Sequence, residues 1–250
     1  MAGGYRGTGA GLLLAGVAAC LLAIVPPTVT AQTAAEPADP CFDESLPAAQ
    51  GISACTRLIE TAKDAITRAQ AHLQRGVLHE QGGESETAAA DYSESIKLDP
   101  TNALAHFNRG NAHDQLGKFE LAIADYTQAV KLDPKEPDYF NNRGQAYDHL
   151  GQHDLAIADY TEANRLDPAD ARPLYNRGLA QANKSDYRRA IADFDLAIKL
   201  APKDADLYVA RGAAHEELKE EEAAKADFAK ALEIDPKSDD AREGLSRLGG

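Results

Sequence analysis

Among the 250 residues, seven histidines and three cysteines are the side chains best equipped for chemistry. His72 and His79 stand seven apart, as do His106 and His113. On a helix that spacing brings each pair to one face. Imidazoles from neighbouring helices could hold zinc, but no third ligand type is regularly placed beside them. The sequence has no G-x-S-x-G, no H-E-x-x-H and no glycine-rich phosphate loop after a strand. "FNRGNAHDQLGKF" holds Gly110 and Gly117, but within a helical pattern. The expectation is a non-enzyme with no cofactor and no metal.

The cysteines point to a compartment. Arg6 is the only charged residue before Glu36, and Ala10 to Val25 is apolar or glycine until Pro26-Pro27. A basic start, a short apolar core and "VTA" ending at Ala31 read as a signal peptide over 1–31, cleaved after Ala31. The apolar run is too short to cross a bilayer comfortably, so no span is expected in the mature chain. "VAAC" offers the alternative of a lipid-anchored Cys20, although the apolar run continues past it. Export leaves Cys41 and Cys55, an even pair in an oxidising compartment, which predicts a disulfide; two buried free thiols are the alternative. The net charge of −14 becomes −15 without Arg6 and argues against nucleic acid as a partner.

The elements that position these residues are periodic. "AIADYTQAVKLDP" (122–134) returns as "AIADYTEANRLDP" (156–168) and "AIADFDLAIKLAP" (190–202). Pro100, Pro134, Pro168, Pro202 and Pro236 step by 34, as do Gly76, Gly110, Gly144, Gly178 and Gly212. A fixed period of this size marks stacked repeats. Each unit carries the glycine in its first helix, at a cost of about 0.5–1 kcal/mol, which implies close backbone approach. Facing it, the second helix offers a small residue (Ala88, Ala122, Ala156, Ala190, Ala224) and a ring four residues on (Tyr92, Tyr126, Tyr160, Phe194, Phe228). Gly83, Gly117 and Gly151 are expected in the turns, and Asn102, Asp170, Asp204 and Ser238 as N-caps. Arg75, Arg109, Arg143, Arg177 and Arg211 recur in the first helices; Asp91, Asp125, Asp159, Asp193 and Asp227 recur in the second. Five structural ion pairs, one per unit, are inferred.

On these motifs the chain resembles the tetratricopeptide repeat family, whose unit is a 34-residue helix–turn–helix. The resemblance implies an all-α, right-handed superhelical solenoid with N- and C-terminal capping helices. Its repeats run 69–102, 103–136, 137–170, 171–204 and 205–238. A flexible segment with Cys41 (32–47) and a capping helix (48–68) precede them, and a second capping helix (239–250) follows. "GISACTRLIE" imitates a second helix, with Cys55 where Tyr126 stands; Ala241, Leu245 and Leu248 give the far cap an apolar face. The family's usual tryptophan is missing, and the histidines occupy positions where the family keeps aromatic residues.

The family also implies a partner-binding inner face. Carried over, it comprises Leu104, Phe107, Asn111, Asp114 and Gln115 in the second repeat. The third gives Asp138, Asn141, Gln145, Asp148 and His149; the fourth gives Arg172, Tyr175, Leu179, Ala182 and Asn183. Rings, amides and acids suit a peptide with apolar anchors and basic flanks. Asn111 and Asn142 match amides of the family's carboxylate clamp, but Phe107 and Asn176 stand where the clamp has cations. The expected function is a non-catalytic scaffold or adaptor of the bacterial cell envelope, periplasmic or secreted, monomeric, holding a protein or peptide. The alternatives are a Cys20-anchored assembly factor for an outer-membrane complex and metal binding through the histidines.

Overall fold

The computed structural model describes residues 39–249. The expected signal peptide (1–31), Cys20 and the first part of segment 32–47 lie outside them. A 3-10 turn (Pro40–Phe42) leads into α1 (Ala48–Thr61). Five antiparallel pairs follow: α2 (Ala65–Gln81) with α3 (Ser85–Leu98), α4 (Ala103–Gln115) with α5 (Phe119–Leu132), α6 (Pro137–His149) with α7 (His153–Leu166), α8 (Arg172–Asn183) with α9 (Tyr187–Leu200), and α10 (Ala205–Glu217) with α11 (Glu221–Ile234). A short α12 (Asp239–Arg247) closes the stack. The described residues form no strand, and none of their helices is long and apolar enough to cross a membrane.

Each helix packs on the next along the chain. The first helices of successive pairs also touch one another (α2 to α4, α4 to α6, α6 to α8, α8 to α10), whereas the second helices do not. The first helices therefore line the inner side of the stack.

The seam inside each pair is built around the recurrent ring. Tyr92, Tyr126, Tyr160, Phe194 and Phe228 are fully buried. The ring itself, rather than the expected alanine, lies against the glycine. A Cβ added at Gly110 would sit 2.6 Å from the Tyr126 ring, closer than atoms tolerate. Ala122 and Tyr126 instead cluster with Ala146 of the following pair, so one ring serves its own pair and the next interface.

Asn102, Asp204 and Ser238 cap α4, α10 and α12 through their side chains. Asp170 differs: α8 begins one residue later, behind Ala171, although Asp170 still accepts from the Arg172 N–H. Gly83, Gly117 and Gly151 adopt left-handed backbone, with φ of +76°, +69° and +70°. The last two pairs place Ser185 and Lys219 in that slot, each at φ 61°. A Cβ there costs roughly 1–2 kcal/mol, partly offset by the greater freedom glycine has in the unfolded chain. Lys219→Gly should therefore stabilise by about 0.5–1 kcal/mol in a chemical unfolding series. Any destabilisation would show that the slot is unstrained.

At the N-terminal end Cys41 and Cys55 are joined as a disulfide, with Cα atoms 4.4 Å apart. The bond is buried among Ala54, Ala71, Leu58, Ile59 and Leu78 and fixes the 3-10 turn on α1, beside α2. At the other end Ala241, Leu245 and Leu248 cover Tyr208 and Phe228. Arg247 forks onto Glu216 at 2.9–3.0 Å. Both ends of the stack thus have their apolar faces covered, as a repeat array requires.

Candidate binding groove

The inner face rests on a spine of ion pairs. Arg75, Arg109, Arg143, Arg177 and Arg211 each place Nε and Nη2 on the two carboxylate oxygens of Asp91, Asp125, Asp159, Asp193 and Asp227, at 2.6–3.0 Å. This forked geometry is the strong form of the interaction. The aspartates are buried. Burial works against the Asp91 carboxylate, but hydrogen bonds from Arg75 and His72 outweigh it and hold it below the usual range. Asp125 is lowered in the same way, its burial outweighed by His106, Arg109 and His113.

The remaining guanidinium nitrogen reaches backwards. Nη1 donates to Thr56, Ser93, Thr127 and Thr161 hydroxyls at 2.9–3.2 Å, and in Arg211 to Asp195. Each arginine thus ties its own pair to the preceding helix. Sequence reading missed this bond, although Ser93, Thr127, Thr161 and Asp195 also step by 34.

Two histidines are second partners of these carboxylates. His72 Nδ1 lies 3.0 Å from Asp91, and His113 Nδ1 lies 3.0 Å from Asp125. His79 and His215 turn to Glu84 and Glu220 at 2.8 and 2.7 Å. Burial holds the His113 imidazole below its ordinary value, against the pull of Asp125. Among the described residues no group of three or more His, Cys, Asp or Glu is arranged to hold a metal.

Gln145, Asp148 and His149 of α6 meet Asn176, Leu179 and Asn183 of α8 around a depression of about 400 Å³ floored by Tyr160. Gln145, His149 and Leu179 are exposed there. His149 is stacked on Phe119 with ring centres 4.4 Å apart, and Asp148 accepts from His153 and the Tyr160 hydroxyl. Leu104 is 48 % exposed. Phe107 is half-buried against Tyr126 and Tyr139, and Tyr175 against Phe194. Arg172 is exposed but engaged by Asp138 and Asp170.

Asn141 corrects the expectation. It is only 3 % exposed, because its position falls on the seam between α6 and α8 rather than on the open face. There it joins an amide chain. Asn176 donates to Asn141 at 3.1 Å, Asn141 to Asn142 at 3.4 Å, and Asn142 to Asn111 at 3.0 Å. Asn111 Oδ1 also accepts the Tyr126 hydroxyl at 2.8 Å. The groove floor is therefore fixed across three repeats by amides. Asn176, absent from the expected site, could have been found from Asn108, Asn142 and Asn176, which step by 34.

A stack of helix pairs with a fixed inner face defines a solenoid scaffold for protein–protein contact. Tetratricopeptide repeat profiles match residues 104–171, 171–204 and 205–238, and a TPR repeat profile matches 80–117. The chain belongs to the tetratricopeptide repeat family. Among solved structures it is similar to YrrB, described as a TPR protein with an unusual peptide-binding site, at 24 % identity and TM-score 0.66, covering 78 % of this chain and 99 % of that one. MamA is similar at 25 % identity and TM-score 0.62, covering 65 % and 95 %. MamA from Desulfovibrio magneticus RS-1 is similar at 21 % identity and TM-score 0.64, covering 68 % and 97 %. Since 419 solved chains match, likeness to any one of them speaks for the fold and not for a partner. No curated protein matches by sequence.

Proposed function

We infer that this chain is a scaffold of the bacterial cell envelope that holds a peptide segment of another protein along its inner face. The observation that carries this reading is the depression between α6 and α8, where exposed Gln145, His149 and Leu179 stand over an amide-fixed floor. Apolar, amide and acidic groups converge there without a nucleophile or a metal cluster. YrrB, similar in fold, carries a peptide-binding site by its description. The envelope assignment rests on the signal-like residues 1–31 and on the cysteine pair, whose bond suits an oxidising compartment. Anchoring through Cys20 remains the second form of the same function.

A photo-crosslinking residue at Gln145, exposed in the depression, is the test; a matched probe at exposed Arg165 on α7 is the control. One dominant envelope protein captured at Gln145 and not at Arg165 is the expected result. Equal capture at both positions, or none at either, would remove the groove as the functional face.

A further inference from the structure

One inner-face position carries an acid in four of the five repeats, the fourth having Ala182 there, and in three of those four the acid has a side-chain donor. Glu80, Asp114, Asp148 and Glu216 stand at the same place in their first helices. Glu80 accepts the Tyr92 hydroxyl at 2.7 Å, and Asp148 accepts the Tyr160 hydroxyl at 3.0 Å. Glu216 takes the Arg247 fork at 2.9–3.0 Å. In the second repeat the corresponding hydroxyl, from Tyr126, goes to Asn111 instead. Asp114 Oδ1 is left buried with no hydrogen-bond donor.

A buried acceptor without a donor is costly, and a charged one more so. Burial pushes the Asp114 carboxyl above its usual range, and the only opposing influence is His149 on α6. No arginine or lysine is paired with it among the described residues. Of the inner-face positions, the single arginine, Arg172, is already held by Asp138 and Asp170. Gln115, next to Asp114, spends its amide on Glu80 and Ser85. The fold thus retains a half-buried carboxylate, one oxygen of it without a donor, on the face that the proposed function assigns to a partner. An incoming ammonium or guanidinium bonded to the more open oxygen, Oδ2, would give the carboxylate a compensating charge.

We propose that Asp114 receives a lysine or arginine side chain of the peptide bound along the inner face. This rests on the reading of that face as the binding surface. The occupant is then a peptide with apolar anchors and at least one cation at a fixed place, set opposite the α4–α6 boundary. Asp148 and Glu80 flank the site as acids whose oxygens are already engaged, so they add to the field without competing for the same donors.

The test is a synthetic array of 12-residue peptides randomised over Leu, Phe, Gln, Ser, Lys, Arg and Glu. It is probed with the full chain and with Asp114→Asn and Glu120→Gln, the latter an exposed acid on α5. The wild type should select Lys or Arg at one fixed position. Asp114→Asn should lose that preference by about 30-fold, the lower end for one partner of a hydrogen-bonded charge pair; Glu120→Gln should keep it. The free Asp114→Asn protein should melt higher, by about 2–4 °C, because an uncompensated charge has gone. Selection of peptides without a fixed cation would overturn the Asp114 assignment and leave the groove reading standing. No selection at all would overturn both.

Discussion

Arg143→Ala is expected to destabilise the protein by about 3 kcal/mol, the lower end for a broken buried pair. The aspartate left behind, Asp159, is only 7 % exposed and loses two short hydrogen bonds at once. Arg143 itself keeps some contact with solvent, which sets the estimate low in the range. Its guanidinium also lies 5.6 Å from the Phe140 ring, so packing is lost along with charge. Asp159→Ala should cost a comparable amount for the opposite reason, an arginine without its acceptor. The double variant should then cost clearly less than the sum of the two, since neither partner is left buried alone. Chemical unfolding of the four proteins gives the coupling directly. Additive losses would mean that the two side chains act independently and that the spine is incidental.

Loss of the Cys41–Cys55 bond should cost about 3 kcal/mol, the value for closing a loop of some fifteen residues. The effect should stay local. Repeat arrays are stabilised mainly by nearest-neighbour contacts, so what is lost at one end is not felt at the other. In a Cys41→Ser/Cys55→Ser protein, hydrogen exchange should accelerate through α1 and the later part of α2, where Ala71 and Leu78 join Leu58 and Ile59 around the bond. Exchange in α10 to α12 should be unchanged. Uniform acceleration along the chain would contradict this picture and show that the array unfolds as one unit.

The architecture was legible because its causes recur. A ring against a glycine, a proline behind each second helix and an arginine opposite an aspartate each appear five times at one spacing. Their pairing follows from the geometry of a helical hairpin. What stayed hidden departs from that spacing. Asn141 meets Asn176, 35 residues away, because the contact crosses between two positions of neighbouring helices rather than joining equivalents. No period of 34 exposes it, and the residue expected on the open face turned into a seam. The choice of Tyr126 between Asn111 and Asp114 is likewise invisible in sequence. Tyr92 and Tyr160 occur in the same motif and choose the acid. Asn111 decides it: Asn142 holds it in place to accept the hydroxyl. The left-handed slots at Ser185 and Lys219 escaped because glycine was the signal used to find that backbone.

The third nitrogen of each arginine has a mechanical consequence. Successive second helices do not touch, yet Arg143 joins Thr127 on α5 to Asp159 on α7 through α6. It works as a strut from one pair to the next, and it resists any change in their spacing. Its two ends are unequal: the forked carboxylate end is charged and strong, whereas the hydroxyl end is a single bond to a neutral acceptor. Strain from a narrow cargo would part the hydroxyl end first, leaving each pair intact. The pitch of the coil can therefore adjust one boundary at a time. At the Arg211 boundary the hydroxyl is replaced by Asp195, and both ends are charged. The coil is stiffest there, and its compliance lies in the four boundaries before it, where the strut ends on a hydroxyl.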